Sequence, residues 1–196
     1  MPKRKPEPVD PRLLISAYAQ GIFPMADERG KIQWYAPDPR AILEHANLQV
    51  SRSLRATLRK GIYEIRMDTA FEQVMRFCAA REETWINEEF IKTYCYLHTL
   101  GLTHSVEAWH NNTLVGGLYG VSLGGAFMGE SMFSRATDAS KVCLVYLVQH
   151  LAARGYILHD TQFTTPHLIT LGVTEIPRWL YESRLRQALQ LRRTFS

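Results

Sequence analysis

Between Ser140 and Ala153 the chain carries Val142, Leu144, Val145, Leu147, Val148 and Leu151, which leaves a helix there apolar on nearly every side. A helix with no polar face has to be buried, so this segment must be covered by other structure along its length. Its neighbours say by what. Upstream are two strand-like runs, Thr103 to Trp109 and Leu114 to Val121, joined by His110, Asn111 and Asn112, a hairpin signal, and then a third run from Gly125 to Glu130. Downstream, Tyr156 to about Gln162 reads as another strand. The buried helix therefore crosses over between strands, and the fold class is an antiparallel-rich α/β sheet flanked by helices.

The remaining segments fit around that unit. A helix begins at about Ser51, a strand runs from Tyr63 to Met67, and helices follow near Ala70 to Ala79 and Glu88 to Leu100, the last stopped by Gly101. Beyond Gln162 come a short helix, a strand near Val173 to Ile176 and a C-terminal helix. At the other end, Asp10 followed by Pro11 is an N-cap with proline at the first helical position, and that helix stops at Gly21. Gly21 to Arg40, with Pro24, Pro37 and Pro39 around Ile32, Trp34 and Tyr35, reads as loops with one short strand. The expected division is a small lobe over 1–40 and a principal domain over 41–196. With 196 residues, 46% of them hydrophobic, the chain supports one substantial core. No apolar run approaches the roughly 18 to 20 residues that span a bilayer, and Met1 to Val9 lacks an apolar signal core, so a cytoplasmic protein without membrane contact is expected. A monomer is the simplest expectation.

Chemistry-bearing residues are few. The net charge of +4 is mild, but basic residues cluster at Lys3, Arg4 and Lys5, at Arg52, Arg55, Arg59 and Lys60, and at Arg184, Arg186, Arg192 and Arg193. At 100° per residue Arg52, Arg55 and Arg59 fall within roughly 60° of one another on a helix, a stripe suited to phosphates or to plain solvation. Asp160 and Gln162 alternate onto one strand face, where the carboxylate is expected to orient the amide and the amide to position an amine or an oxyanion. Glu130 follows Gly129 at the end of an apolar strand and is a candidate holder of an amine. The aromatics Trp34, Tyr35, Trp85, Trp109, Tyr119, Phe127 and Phe133 are core residues by default, with some available to line a pocket. The seven histidines have no metal-ligand spacing, so no metal is expected, and His159 points to the strand face opposite Asp160, which argues against a His/Asp dyad. Cys78, Cys95 and Cys143 read as reduced, mostly buried thiols, and Cys143 within the apolar helix is a poor nucleophile.

Taken in order, Gly21-Ile-Phe-Pro-Met25, Trp34-Tyr-Ala-Pro-Asp-Pro-Arg40, Thr84-Trp-Ile86, His104-Ser-Val-Glu107, Leu114 to Val121, Gly129-Glu-Ser-Met-Phe-Ser134, Ala139-Ser-Lys141 and Asp160-Thr-Gln162 resemble the bacterial leucyl/phenylalanyl-tRNA-protein transferases from about Leu13 to Tyr181. The resemblance implies a GNAT-like (acyl-CoA N-acyltransferase) domain with a small, shortened N-terminal lobe. It implies transfer of Leu, Phe or sometimes Met from aminoacyl-tRNA to proteins that begin with Arg or Lys, marking them for degradation. By position it makes Asp160 and Gln162 the catalytic pair and Glu130 an active-site carboxylate. It sets Trp85, Tyr119 and Phe127 near the aminoacyl-adenosine pocket, with Met25 where many relatives have a tryptophan. Arg52, Arg55, Arg59 and Lys60 fall in the tRNA-binding segment.

The chemistry that the resemblance implies needs no cofactor. An aminoacyl ester is already activated, and an α-amine of pKa near 7.7 to 8.0 is roughly one-tenth neutral at pH 7. Orientation is then most of the task. A neutral amide is a very weak base, so Gln162 is expected to position or relay rather than abstract a proton. Two rivals stand beside this reading. An acetyltransferase using acetyl-CoA would want a glycine-bearing pyrophosphate cradle, and Phe133 to Lys141 contains no glycine. A non-catalytic tRNA-binding module would need the basic stripe but not the Asp160 and Gln162 pair.

Overall fold

The structure, a computed structural model, describes residues 9–196. The basic group Lys3, Arg4 and Lys5 lies outside the described residues. Helix α1 (Pro11–Tyr18) opens as its sequence dictates, with the Asp10 carboxylate accepting the Arg12 N–H at 2.8 Å and Pro11 in the first turn. The chain then turns at Gly21, where φ is +75° and an added Cβ would stand 2.8 Å from the Tyr181 ring, so only glycine fits. The next segment departs from the loops expected of it. Strands β1 (Phe23–Ala26) and β2 (Ile32–Tyr35) form an antiparallel hairpin. Pro24 is tolerated because a two-stranded ribbon leaves one side of each strand unpaired. Asp27 closes the turn by accepting the N–H groups of Arg29 and Lys31, both at 2.9 Å.

The principal sheet has seven strands: β3 (Arg40–Ile42), β4 (Glu64–Met67), β5 (Thr103–His110), β6 (Thr113–Leu123), β7 (Ala126–Ser134), β8 (Leu158–Gln162) and β9 (Thr174–Ile176). Their spatial order is β4-β5-β6-β7-β8-β3-β9. The helices are α2 (Arg52–Lys60), α3 (Phe71–Ala79), α4 (Glu88–Thr99), α5 (Ala139–Ala153), α6 (Pro166–Ile169) and α7 (Arg178–Leu189). The β5–β6 hairpin turns at Asn111 and Asn112, with φ of +50° and +57°, the left-handed pair that a tight hairpin demands. Helix α5 is buried as expected, packing Val142, Leu144, Val145, Leu147, Val148 and Leu151 with Leu54 of α2 and with Val106, Leu118 and Phe127 of the sheet. A second apolar cluster joins residues of α1, α3, α4 and α7, with Tyr119, Val121 and Met128 among its sheet residues. Glu107, fully buried, accepts the N–H groups of Thr69 and Ala70 at 2.9 and 2.8 Å and so caps α3 from a neighbouring strand. Among the described residues no helix is long and apolar enough to cross a membrane.

One feature of the sheet creates the site. Every pairing is antiparallel except β7 with β8, which is parallel and covers only Ala126↔Leu158 to Met128↔Asp160. Past Met128 and Asp160 this pairing ends. A bulge in β7, where Ser131 and Gly129 face the consecutive Tyr119 and Gly120 of β6 and Glu130 is the extra residue, accompanies the divergence, and an added Cβ at Gly120 would stand 2.3 Å from the Met128 carbonyl oxygen.

Candidate active site

The gap past the last β7–β8 pair holds a cavity of about 290 Å³. Leu118, Met132, Leu144 and Leu147 supply apolar wall, whereas Tyr119, Glu130, His159, Thr161 and Gln162 supply polar groups. The Tyr119 hydroxyl, His159 Nδ1 and Thr161 Oγ1 are all buried without a hydrogen-bond partner among the described residues. Three unsatisfied polar atoms on one cavity wall are what a ligand-binding surface presents before its ligand arrives. Burial, reinforced by the neighbouring His45, pushes the His159 imidazole down to about 3, so it is neutral.

Asp160 is fully buried and its acceptor capacity is taken up. Oδ1 accepts Arg40 Nε and the Gln162 backbone N–H, both at 2.9 Å; Oδ2 accepts Arg40 Nη2 at 2.6 Å and the Tyr181 hydroxyl at 2.8 Å. Arg40 also donates to the Gly21 carbonyl at 2.8 Å, and its guanidinium lies 4.4 Å from the centre of the Tyr181 ring and 4.9 Å from that of Phe23. Burial works against the charge on Arg40, and the adjoining Asp160 carboxylate more than offsets it, so the group stays cationic. Asp160 therefore does not hold the Gln162 amide, as the strand alternation had suggested. It holds the Gln162 backbone.

That backbone needs holding. Gln162 has φ of +59°, and the Phe163 N–H closes on the Thr161 carbonyl at 2.7 Å around it, while the β3–β8 register slips at the same place. A non-glycine residue in this region carries strain on the order of 1–3 kcal/mol and persists only where its surroundings fix it. The reward is direction: the Gln162 amide Nε2 donates to Glu130 Oε1 at 3.0 Å, joining β8 to β7. Burial pushes the Glu130 carboxyl up to about 8; the Tyr18 hydroxyl pulls the other way, Asp160 adds to the rise, and Arg40 and Tyr94 oppose it.

Asp160, Gln162 and Glu130 are thus brought together, and Trp85 and Tyr119 stand on the cavity wall. Phe127 does not; it is fully buried, its ring 5.8 Å from that of His159. Met25, half-buried on β1, packs against the core. Arg52, Arg55, Arg59 and Lys60 are all exposed on α2, whose Leu54 is buried, so the stripe faces outward. Sequence reasoning missed Arg40, Tyr181, His159 and Thr161. A common face for His159 and Thr161 follows from strand alternation, but nothing local marks Arg40 or Tyr181. The structure also gathers Asp68, His98 and His104, whose ligand atoms lie within 4.8 Å of one another. Hydrogen bonds already engage them: His104 Nδ1 to Asp68 at 2.7 Å, His104 Nε2 to the Gly101 carbonyl at 3.1 Å and His98 Nδ1 to the Thr103 carbonyl at 2.7 Å.

An antiparallel-rich sheet in which one parallel pair parts around a cavity, with positioned polar groups inside it, defines an α/β protein that holds a ligand between two strands of its sheet. Comparison with known proteins makes the assignment particular. The chain belongs to the leucyl/phenylalanyl-tRNA protein transferase family, whose profile matches residues 42–186, with the family's N-terminal domain matching residues 7–38. It is 57% identical to the leucyl/phenylalanyl-tRNA–protein transferase of Herpetosiphon aurantiacus and 56% to that of Rubrobacter xylanophilus, over 95% of this chain and 98% of each relative. With the Nitrosomonas europaea enzyme it shares 52% identity over 91% of this chain but 78% of that protein. A solved GCN5-related N-acetyltransferase-like protein from Streptococcus suis is similar at a TM-score of 0.41 and 15% identity, over 84% of this chain and 63% of that one.

Proposed function

We propose that this chain transfers Leu or Phe, with Met as a further donor group, from aminoacyl-tRNA to the α-amine of proteins that begin with Arg or Lys, creating a degradation signal. The neutral amine adds to the ester carbonyl carbon. As the C–N bond forms, the ester C–O bond to the ribose of the terminal adenosine breaks, and the proton lost by nitrogen ends on that oxygen. The observation that carries this reading is the Gln162 to Glu130 hydrogen bond across the cavity. It fixes the amide nitrogen and leaves the amide oxygen available to hold the attacking N–H, a positioning role suited to so weak a base. Glu130, when ionised, pairs with the donor's own ammonium. Leu118, Met132 and Leu144 receive an apolar side chain, and Trp85 stacks on the adenine.

The α2 stripe of Arg52, Arg55, Arg59 and Lys60 follows the tRNA backbone, outside the cavity. We divide the chain into a lobe over 1–40 and a catalytic domain over 41–196, acting as a cytoplasmic monomer without an added cofactor. Acetyl-CoA is a poorer fit, because its pyrophosphate wants free N–H groups at the start of α5. There the Ser140 N–H is taken by Ser134 Oγ at 3.3 Å, and Asp138 contributes a carboxylate. The test is transfer of labelled Leu from Leu-tRNA to peptides beginning with Arg, Lys or Ala, with acetyl-CoA run in parallel. Incorporation confined to the Arg and Lys peptides, lost in single turnover by Gln162→Ala, is the expected result. Acetylation, or near-normal transfer by Gln162→Ala, would overturn the reading.

A further inference from the structure

Next to the catalytic cavity lies a second one of about 260 Å³ that shares two wall residues with it, Arg81 and Met132. Its composition is unlike that of the first. Phe77 and Phe133 form an aromatic floor, edge to face with centroids 5.1 Å apart, and the Arg135 guanidinium lies over the Phe77 ring at 3.4 Å. Arg81 is fixed from three sides, donating to the Cys78 carbonyl at 2.8 Å and to Ser131 Oγ and the Met132 carbonyl at 2.9 Å each. Both arginines are exposed, and among the described residues neither forms an ion pair. Two uncompensated guanidiniums, Arg81 fixed by hydrogen bonds and Arg135 stacked on Phe77, beside an aromatic floor are the chemistry that binds single-stranded nucleic acid: phosphate on the cation, base on the ring.

The third cavity along the same wall, about 640 Å³, is also lined by Arg135 but lacks Arg81. Its lysine, Lys141, is neutralised by Asp138 at 2.9 Å, and that carboxylate would repel a phosphate. Charge therefore favours the side of Arg135 that Arg81 shares.

We propose that the Arg81–Arg135 cavity is the track for the single-stranded 3′ end of the donor RNA, holding the phosphates of the two cytidines that precede the terminal adenosine. This rests on the aminoacyl-tRNA reading above, and it separates two electrostatic tasks. Arg81 and Arg135 act on the last three nucleotides, next to the chemistry, whereas the α2 stripe acts on the folded body of the tRNA.

A ladder of donors tests it. The kcat/KM for leucyl-adenosine, for the leucyl-CCA trinucleotide and for Leu-tRNA is measured for the wild type, Arg135→Ala and Arg135→Lys, with thermal melting to establish that each variant folds. In Arg135→Ala the preference for leucyl-CCA over leucyl-adenosine should fall about ten-fold, through KM, because a charge-assisted phosphate contact is lost. The slope of log affinity for CCA against log salt should become shallower by about 0.7. Arg135→Lys should recover part of the preference, since it restores charge but not planarity. An unchanged preference, with the salt slope intact, would overturn the proposal. Should wild-type protein transfer from none of the three donors, the transferase reading fails on its own. Binding of uncharged CCA trinucleotide then decides the track: weaker in Arg135→Ala supports it, equal binding or none by the wild type overturns it.

Discussion

Replacing Glu130 by Gln removes one titration from the fold and tests why the site is built as it is. Burial is the main reason that its carboxyl is pushed from 4.5 up to about 8. Unfolding returns it to water. Between those two values the native protein holds a proton that the unfolded chain has released, so wild-type stability falls as pH rises through this window and levels off above about 8. At 1.36 kcal/mol per pH unit, the interval sets a ceiling of about 5 kcal/mol. The carboxyl keeps some exposure to the cavity, and screening there brings the expected effect to about 2 kcal/mol. Gln has the shape of the protonated acid and still accepts from the Gln162 amide, but it does not titrate. Urea denaturation should therefore find the two proteins within about 0.5 kcal/mol of each other at pH 5.5, and Glu130→Gln more stable by about 2 kcal/mol at pH 8.5. A stability difference that stays constant with pH would refute the argument. So would one that moves in favour of the wild type as pH rises, because the hydroxyls and Arg40 would then outweigh burial.

Two further outcomes follow from the same geometry. Asp160→Asn leaves the buried Arg40 guanidinium without its counter-charge and should cost about 3–5 kcal/mol in chemical denaturation; a loss under about 1 kcal/mol would show that the pair is not what holds β3 to β8. Combined replacement of Arg52, Arg55 and Arg59 by Ala should flatten the salt dependence of tRNA binding by about 2 to 3 in log-log slope, with little change in melting temperature because all three are exposed. Unaltered slope in filter binding would leave α2 as a solvated face.

Much of the fold was legible because it is written locally. Asp10 and Pro11 start a helix, the Asn111 and Asn112 pair turns a hairpin, and the apolarity of α5 forces it against a sheet, all within a few residues of one another. The β1–β2 segment reads from sequence as mostly loop because Pro24 argues against a strand, and that penalty disappears in a two-stranded ribbon. Asp160, Gln162 and Glu130 could be named from their motifs, but their wiring could not. Alternation sends Asp160 and Gln162 to one face and suggests a side-chain contact; a positive φ at Gln162 breaks the alternation, and the carboxylate takes the backbone N–H instead. Phe127 and Met25 carry the same apolar signal as any core residue; Phe127 is in the core and Met25 packs, half-buried, against it.

By itself the sequence determined most of the element types, the buried crossover helix and which side chains are candidates for the site, since capping, periodicity and turn chemistry act over a handful of residues. Tertiary structure alone decided that β7 and β8 part after Met128 and Asp160, that Arg40 closes on a carboxylate 120 positions away, and that Arg81 and Arg135 share one cavity. Those outcomes depend on strand order and on the low-dielectric interior that it creates, and neither exists until the sheet has formed.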